Sequence, residues 1–435
     1  MKTATIHTLG LNGLVSVPFP IRVTVGDGPQ TVAIPSYPEW SAREATVRVR
    51  GSLENLGFYV GGRVTVEFPE FTPAHIPDPA FDLPIAIGVL VALGAVQPER
   101  VHGKAFIGEL GLDGAIRGVR GVYPRLQSAG RVVVPRDNAV EASYQDAHTE
   151  IIAHLAELLA PASLPTVEHV GFQPDDIRPP KDVVLATPLV RAIEVAAAGN
   201  HPILMIGAFG LGKTLAARLL HWLLPPITPK QAAECTAIFS TGGMLHDHGH
   251  VTARPFRAPH HTVSEAGLVG GGMNALPCTR SGKLARPGEA SFAHNGVLFL
   301  DEVNEFRRAA IDSLARAIAA KEARVRTCSF PASPIIAAAV NSYDNAESFL
   351  SIFRRVPPWV REHCTIRVGC AHGTPTQIVD IAAMRARVHR AREILGLGSS
   401  LDRRHTIAET VAALAGSRTI EPEHVAEAER LAVVS

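Results

Sequence analysis

Short apolar runs closed by glycine or polar residues alternate along this chain with longer stretches of helical spacing. In the first part IRVTV (21–25), RVTVEF (63–68) and RVVVP (131–135) predict strands. SAREATVRVRGSLENLG (41–57) and PIAIGVLVALGAV (84–96) predict helices. Between them EFTPAHIPDPAFDLP (70–84) is proline-rich and predicts a loop leading into a helix. A second alternation begins near Val183. LVRAIEVAAAG (189–199) reads as a helix, PILMIG (202–207) as a buried strand, and TLAARLLHWLL (214–224) as a helix opening after a glycine-rich turn. GVLFLDE (296–302) and PIIAAAVN (334–341) read as further buried strands ending in polar residues. Three helical stretches follow, within 378–395, 405–417 and 423–434.

The expected fold class is α/β. An α/β unit at residues 1–160 is joined by a linker (161–182) to a parallel-sheet unit (183–370), and an all-helical lid occupies 371–435. The length of 435 residues exceeds one hydrophobic core, which agrees with several units. With 46% hydrophobic and 19% charged residues the chain reads as globular rather than disordered. A net charge of +1 gives no long-range argument for nucleic acid. Cys235, Cys278, Cys328, Cys364 and Cys370 show no CxxC pairing, which argues against a disulfide framework or a structural zinc site. The opening MKTATIHTLGLNG lacks a sustained apolar run, and the apolar stretch 81–96 is broken by Asp82 and Pro84. A soluble, cytoplasmic protein without membrane association is therefore expected.

The chemistry concentrates in the second unit. Gly207-Ala208-Phe209-Gly210-Leu211-Gly212-Lys213-Thr214 fits G-x-x-x-x-G-K-[ST] between a predicted strand and a predicted helix. Its glycines let backbone N–H groups face phosphate oxygens, and the helix N-terminus adds positive potential. Lys213 would reach the β- and γ-phosphates of ATP, and the Thr214 hydroxyl would ligate Mg²⁺. Asp301 and Glu302 close the strand after Gly296. Asp301 is placed to hold the magnesium ion and Glu302 to orient or deprotonate the attacking water. Asn341, ending the next strand, is a candidate sensor of that water; alternatively it caps a turn.

Arg254-Pro255-Phe256-Arg257-Ala258-Pro259-His260-His261, then Gly270-Gly271-Gly272, then the run from Gly288 to Glu302, resemble the magnesium-chelatase-like AAA+ proteins of the ComM/YifB type. Phe81 to Gly88 and Gly118 to Val122 resemble that family's Lon-protease-like N-terminal domain. The resemblance implies a homo-oligomeric ring, usually a hexamer, with ATP between subunits and an arginine supplied by the neighbour. It also implies DNA branch migration for the competence branch and metal insertion into a porphyrin for the chelatase branch. The front domain favours the former.

The chain departs from that pattern at several points. Ala208 and Phe209 replace two prolines of the phosphate loop, and Asn341 is followed by SYDNAESFL instead of a proline- and cysteine-rich loop. Arg361, in VPPWVREH (356–363), is the candidate trans arginine but lacks the aspartate that usually precedes it; it could equally be a surface residue. Thr406 and Glu409 stand where lid arginines are expected, with Arg403 and Arg404 just upstream. In the front domain the positions of the Lon-type serine and lysine fall near Ile85 and within Val122-Tyr123-Pro124-Arg125. No hydroxyl or lysine stands there, and arginine stays protonated, so no peptidase activity is expected.

Arg254, Arg257, Arg280, Lys283 and Arg286 form a basic, glycine-rich stretch with His260 and His261. On a pore loop such cations would track a phosphate backbone; otherwise they solvate a hairpin or touch a neighbour. The adjacent histidines are expected to be structural, since neighbouring residues rarely reach one ion together. Three functions remain: an ATP-hydrolysing DNA remodeller, a chelatase-type assembly factor, and a nucleotide-dependent scaffold with little turnover.

Overall fold

The computed structural model describes all residues except 70–77, 128, 176–178, 246–248, 272–284, 326, 343–347, 372, 403 and 434–435. The front part is built on a seven-stranded mixed sheet. From edge to edge its strands are Val32–Ala33, Arg63–Glu67, Val15–Gly26, Lys2–Asn12, Lys104–Phe106, Arg131–Pro135 and His148–Ile152. The first two strands in the sequence form a long antiparallel hairpin in which Lys2 pairs with Val25 and Asn12 with Val15. Only its second arm was expected from the apolar pattern. The helices Glu39–Asn55 and Asp82–Leu93 pack with this sheet around one apolar cluster that includes Ile6, Ile21, Val49, Val64, Ile85 and Ile87. At Gly88 an added Cβ would lie 2.5 Å from Val23 Cγ2, so the helix approaches the sheet closely because it carries no side chain there.

The second sheet is fully parallel, in the order Phe256–Arg257, Val297–Leu300, Ile335–Ser342, Ile203–Ala208, Ile366–Cys370. Its strands are apolar on both faces, as a doubly covered sheet requires. Ile203, Met205, Val297, Phe299, Ile335 and Ala337 face one cluster, with the helices Thr187–Gly199 and Lys213–Leu223. Leu204, Ile206, Leu298, Leu300, Ile336 and Ala338 face the other, with the helix Arg308–Ala320. The Asn341 strand lies at the centre, between the Asp301 strand and the strand preceding the phosphate loop. The strands that follow Ile203–Ala208 in sequence lie on both of its sides, a switch of direction at which open α/β sheets bind ligands at the strand C-termini.

The helices Ile381–Ile394, Ile407–Leu414 and Pro422–Ala432 follow, and Met384, Val388 and Val411 join the first cluster. Ion pairs add to this seam: Glu194 on Thr187–Gly199 accepts from Arg191 at 2.7 Å and from Arg387 at 2.6 Å, and Arg191 also reaches Glu427 at 2.7 Å. The front part touches the parallel-sheet part through both apolar and polar contacts: Leu14 packs against Ala285, Val325 and Phe330, and the Tyr123 ring lies edge-on to His250. Gly121 N donates to Ser240 O at 3.1 Å, and the Ser240 hydroxyl donates to the buried Glu141 carboxylate. Among the described residues no helix is long and apolar enough to cross a membrane.

Candidate nucleotide site

The phosphate loop begins where the strand Ile203–Ala208 runs out of room for side chains. A Cβ on Gly207 would stand 2.5 Å from the Cys370 carbonyl oxygen of the adjoining strand. Gly210 and Gly212 have φ of +81° and +79°, the left-handed region that glycine enters without penalty. Gly212 caps the helix Lys213–Leu223, so the first-turn N–H groups of an eleven-residue helix open onto the loop. This cradle of backbone donors fits a polyphosphate. Ala208 is buried, Leu211 half-buried, and Phe209, at 80% exposure, projects its ring outward; neither Ala208 nor Phe209 closes the cradle.

Lys213 is buried, and its Nζ donates to the carbonyls of Gly207 at 2.9 Å and Ala208 at 2.8 Å. Burial pushes its pKa below the usual lysine value, with Asp301 opposing the shift. The ammonium thus sits against the carbonyls at the start of the loop. The exposed Thr214 hydroxyl lies 3.3 Å from Asp301 Oδ2. Two hard oxygen donors this close fit Mg²⁺, which takes one or two protein oxygens and leaves its other positions to phosphate and water.

Asp301 and Glu302 follow directly on Val297–Leu300. Asp301 Oδ1 accepts the Glu302 N–H at 3.0 Å, and Glu302 adopts φ +50°, ψ +51°. A non-glycine residue in that region costs about 1–2 kcal/mol. The turn aims the Glu302 side chain toward the neighbouring strand, where Asn341 Nδ2 donates to Glu302 Oε1 at 2.8 Å. The fold therefore brings together Lys213, Thr214, Asp301, Glu302 and Asn341.

Other expected residues lie differently. Arg361, on the short helix Pro358–His363, is half-buried, with its guanidinium 5.7 Å from the Phe353 ring centroid; among the described residues its buried Nε has no hydrogen-bond partner. Arg404 sits 3.4 Å from His363 Nε2, and Arg403 lies outside the described residues. Thr406 and Glu409 form a reciprocal capping box on Ile407–Leu414: Thr406 N donates to Glu409 Oε2 at 2.7 Å and Glu409 N to Thr406 Oγ1 at 3.2 Å.

The basic stretch divides. Arg254 is corrected from a nucleic-acid contact to an interior strut. It is 4% exposed and donates to the carbonyls of Pro225, Pro226, Asn295 and Ser399. Arg257 is half-buried in a two-bond pair with Glu289, at 2.6 and 2.8 Å, which occupies the face expected to meet phosphate. Arg286 is exposed on Arg286–Pro287, paired antiparallel with Gly270–Gly271; Arg280 and Lys283 lie outside the described residues. His260 and His261 have ring centroids 4.1 Å apart, and His260 Nδ1 lies 2.9 Å from Thr262 Oγ1. His261 Nε2 stands 4.0 Å from Glu302 Oε2, a proximity that sequence reasoning missed because it depends on the sheet pairing of Phe256 with Val297.

In the front part Ile85 is fully buried in the core. Arg125 is also fully buried; it pairs with Asp78 and donates to the Leu9 carbonyl. The arginine at the expected lysine position thus ties the hairpin to the segment before Asp82–Leu93.

The chain matches the family model described as magnesium chelatase, subunit ChlI, over residues 181–348, and a second, subunit ChlI of Mg-chelatase, over 21–138. Competence protein ComM of Haemophilus influenzae is 33% identical over 363 residues, covering 78% of this chain and 69% of that protein. The uncharacterized YifB proteins of Salmonella typhimurium and Escherichia coli are 32% and 33% identical, each match covering 72% of this chain. The chain spans 62% of the length of each YifB relative.

Proposed function

This chain belongs to the ComM/YifB family of magnesium-chelatase-like AAA+ ATPases, and from that premise we propose that it binds Mg-ATP at Gly207–Thr214 and hydrolyses it to remodel DNA. The observation that carries the reading is the convergence of Lys213, the Thr214–Asp301 pair and the Glu302–Asn341 pair at the C-terminal ends of three adjacent strands. In this reading the loop N–H groups and Lys213 hold the phosphates, exchanging the Lys213 bonds to loop carbonyls for bonds to phosphate oxygens. Thr214 and Asp301 hold Mg²⁺, which when bound neutralises charge on the β- and γ-oxygens. Glu302 accepts the proton of the attacking water, and Asn341 fixes the carboxylate that does so.

A neighbouring subunit of a ring, by family likeness a hexamer, would supply the remaining arginine, for which Arg361 is the candidate. DNA contact rests on Arg286 together with Arg280 and Lys283; Arg254 is removed from the set. One observation favours slow turnover, the scaffold reading. The lid positions where arginines are expected are occupied by a cap, Thr406 and Glu409, which cannot neutralise phosphate. The front part is proposed to lack peptidase activity, since Arg125 is ion-paired and cannot act as a base; peptide turnover by the full chain would refute this.

The test is ATP turnover and nucleotide affinity, with and without forked DNA. Lys213→Ala should weaken nucleotide binding at least about tenfold, and Glu302→Gln should keep binding while lowering turnover about 10²-fold or more. Unaltered affinity in Lys213→Ala would refute the phosphate site. Binding without turnover in the natural chain would leave the scaffold.

A further inference from the structure

Glu302 is held from more than one side. Asn341 fixes one carboxylate oxygen from within the sheet, at 2.8 Å. The other oxygen, Oε2, faces His261 Nε2 at 4.0 Å, and the two side chains are exposed to nearly the same degree, 31% and 30%. His261 does not belong to the sheet. It lies on the segment that leaves the edge strand Phe256–Arg257, where Phe256 pairs with Val297 and Arg257 with Leu298. That pairing makes the segment emerge at the sheet end that carries Asp301 and Glu302.

The segment has its own framework. Arg257 is fixed by Glu289, Val263 N closes a turn on His260 O at 2.9 Å, and the Ser264 hydroxyl caps the helix Glu265–Val269. Glu265 in turn accepts from Ser313 on Arg308–Ala320. The His260 ring lies beside that of His261, tilted by 35°, and is tied to Thr262, which limits where the His261 ring can go. At 4.0 Å the His261–Glu302 pair is beyond a direct hydrogen bond, yet about 1 Å of motion closes it to one. A carboxylate held at one oxygen keeps torsional freedom about its last bonds; one held at both does not. Small displacements of residues 258–263 therefore decide how firmly Glu302 is aimed.

We propose that His261 is a positioning residue for Glu302, through which residues 258–263 govern the carboxylate that activates water. The inference rests on the role assigned to Glu302 above. It gives the second of two adjacent histidines a role beside Glu302.

The experiment compares the full-length natural chain with His261→Ala and His261→Gln, the latter keeping a nitrogen donor at similar reach. ATP turnover gives kcat and KM, and a fluorescent ATP analogue gives affinity. His261→Ala should lower kcat about tenfold with KM and analogue affinity within about twofold, and His261→Gln should recover most of the loss. Unchanged kcat, a matched rise in KM, or a glutamine variant no better than alanine would overturn the proposal. A second readout needs no turnover. In histidine-labelled full-length chain, the His261 ring resonance is identified by its loss in His261→Gln. It should move on Glu302→Gln and stay in place on Glu362→Gln, a change at an exposed site on another element. A resonance indifferent to Glu302→Gln would overturn the proposal. If the natural chain binds the analogue without turnover, the hydrolysis reading fails, while the ring resonance still decides whether His261 and Glu302 interact.

Discussion

At the scale of residues, single positions are decided by what packs against them. Gly207 is required by the Cys370 carbonyl 2.5 Å from its missing Cβ, whereas among the described residues nothing lies within 4 Å of a Cβ at Gly130. Gly207→Ala should cost about 1–3 kcal/mol and lower the unfolding midpoint; Gly130→Ala should leave it nearly unchanged. Arg254 makes the same point in reverse. Its position in a basic run reads as a surface cation, but its buried guanidinium satisfies four backbone carbonyls that no nearby pattern announces. Arg254→Ala should destabilise by about 3 kcal/mol or more, since both the carbonyls and the space are left unfilled. If DNA binds, the salt slope of its affinity should be unaffected by that change and should fall by about one on Arg286→Ala. A matching fall for Arg254→Ala would restore it as a phosphate contact.

At the scale of elements, most helices and buried strands were legible because periodicity and glycine stops act locally. The first arm of the opening hairpin was not. Its inward positions include Ala4, Ile6 and Thr8, a weakly apolar alternation whose strand character comes from eleven-residue pairing with Val15–Gly26. The lid shows how one residue pair serves a local need. Thr406 and Glu409 close the start of Ile407–Leu414, so Thr406→Ala should cost about 1 kcal/mol of stability, visible as a lower unfolding midpoint. The same helix meets His201, whose Nε2 lies 2.9 Å from Thr410 Oγ1. Burial, aided by Arg404 and His405, pushes the His201 pKa down to about 4, and burial beside Arg404 does the same for His363. Both rings are neutral in the fold, while in the unfolded chain they take up protons near pH 6.5. Stability is thus fully present above pH 6.5 and is lost as pH falls toward 4. Thermal unfolding followed between pH 7.5 and 4.5 should show this loss, and His201→Gln should flatten it; a flat natural profile would contradict the neutral assignment.

At the scale of the whole molecule, the seam between the front part and the parallel-sheet part has a polar centre beside its apolar contacts. The buried Glu141 carboxylate accepts from Tyr123 N at 2.7 Å, from Asn138 at 3.1 Å and from Ser240 on the other side. Burial pushes its pKa above the usual carboxylate range, and these donors oppose the shift. Glu141→Ala strands three donors and should cost about 2–4 kcal/mol, against about 1 kcal/mol for Ser240→Ala; equal midpoints for both variants would show that the seam does not hold the parts together. The sequence by itself determined the phosphate loop, the acidic strand end and the α/β class, because backbone curl, helix start and strand burial are set by neighbours along the chain. Only the tertiary structure decided that Asn341 and His261 meet Glu302, that Arg254 and Arg125 are interior struts, and that the front part docks through Glu141. Those contacts join residues far apart in sequence, and the pairing of strands and the burial of charge that create them leave no periodic trace.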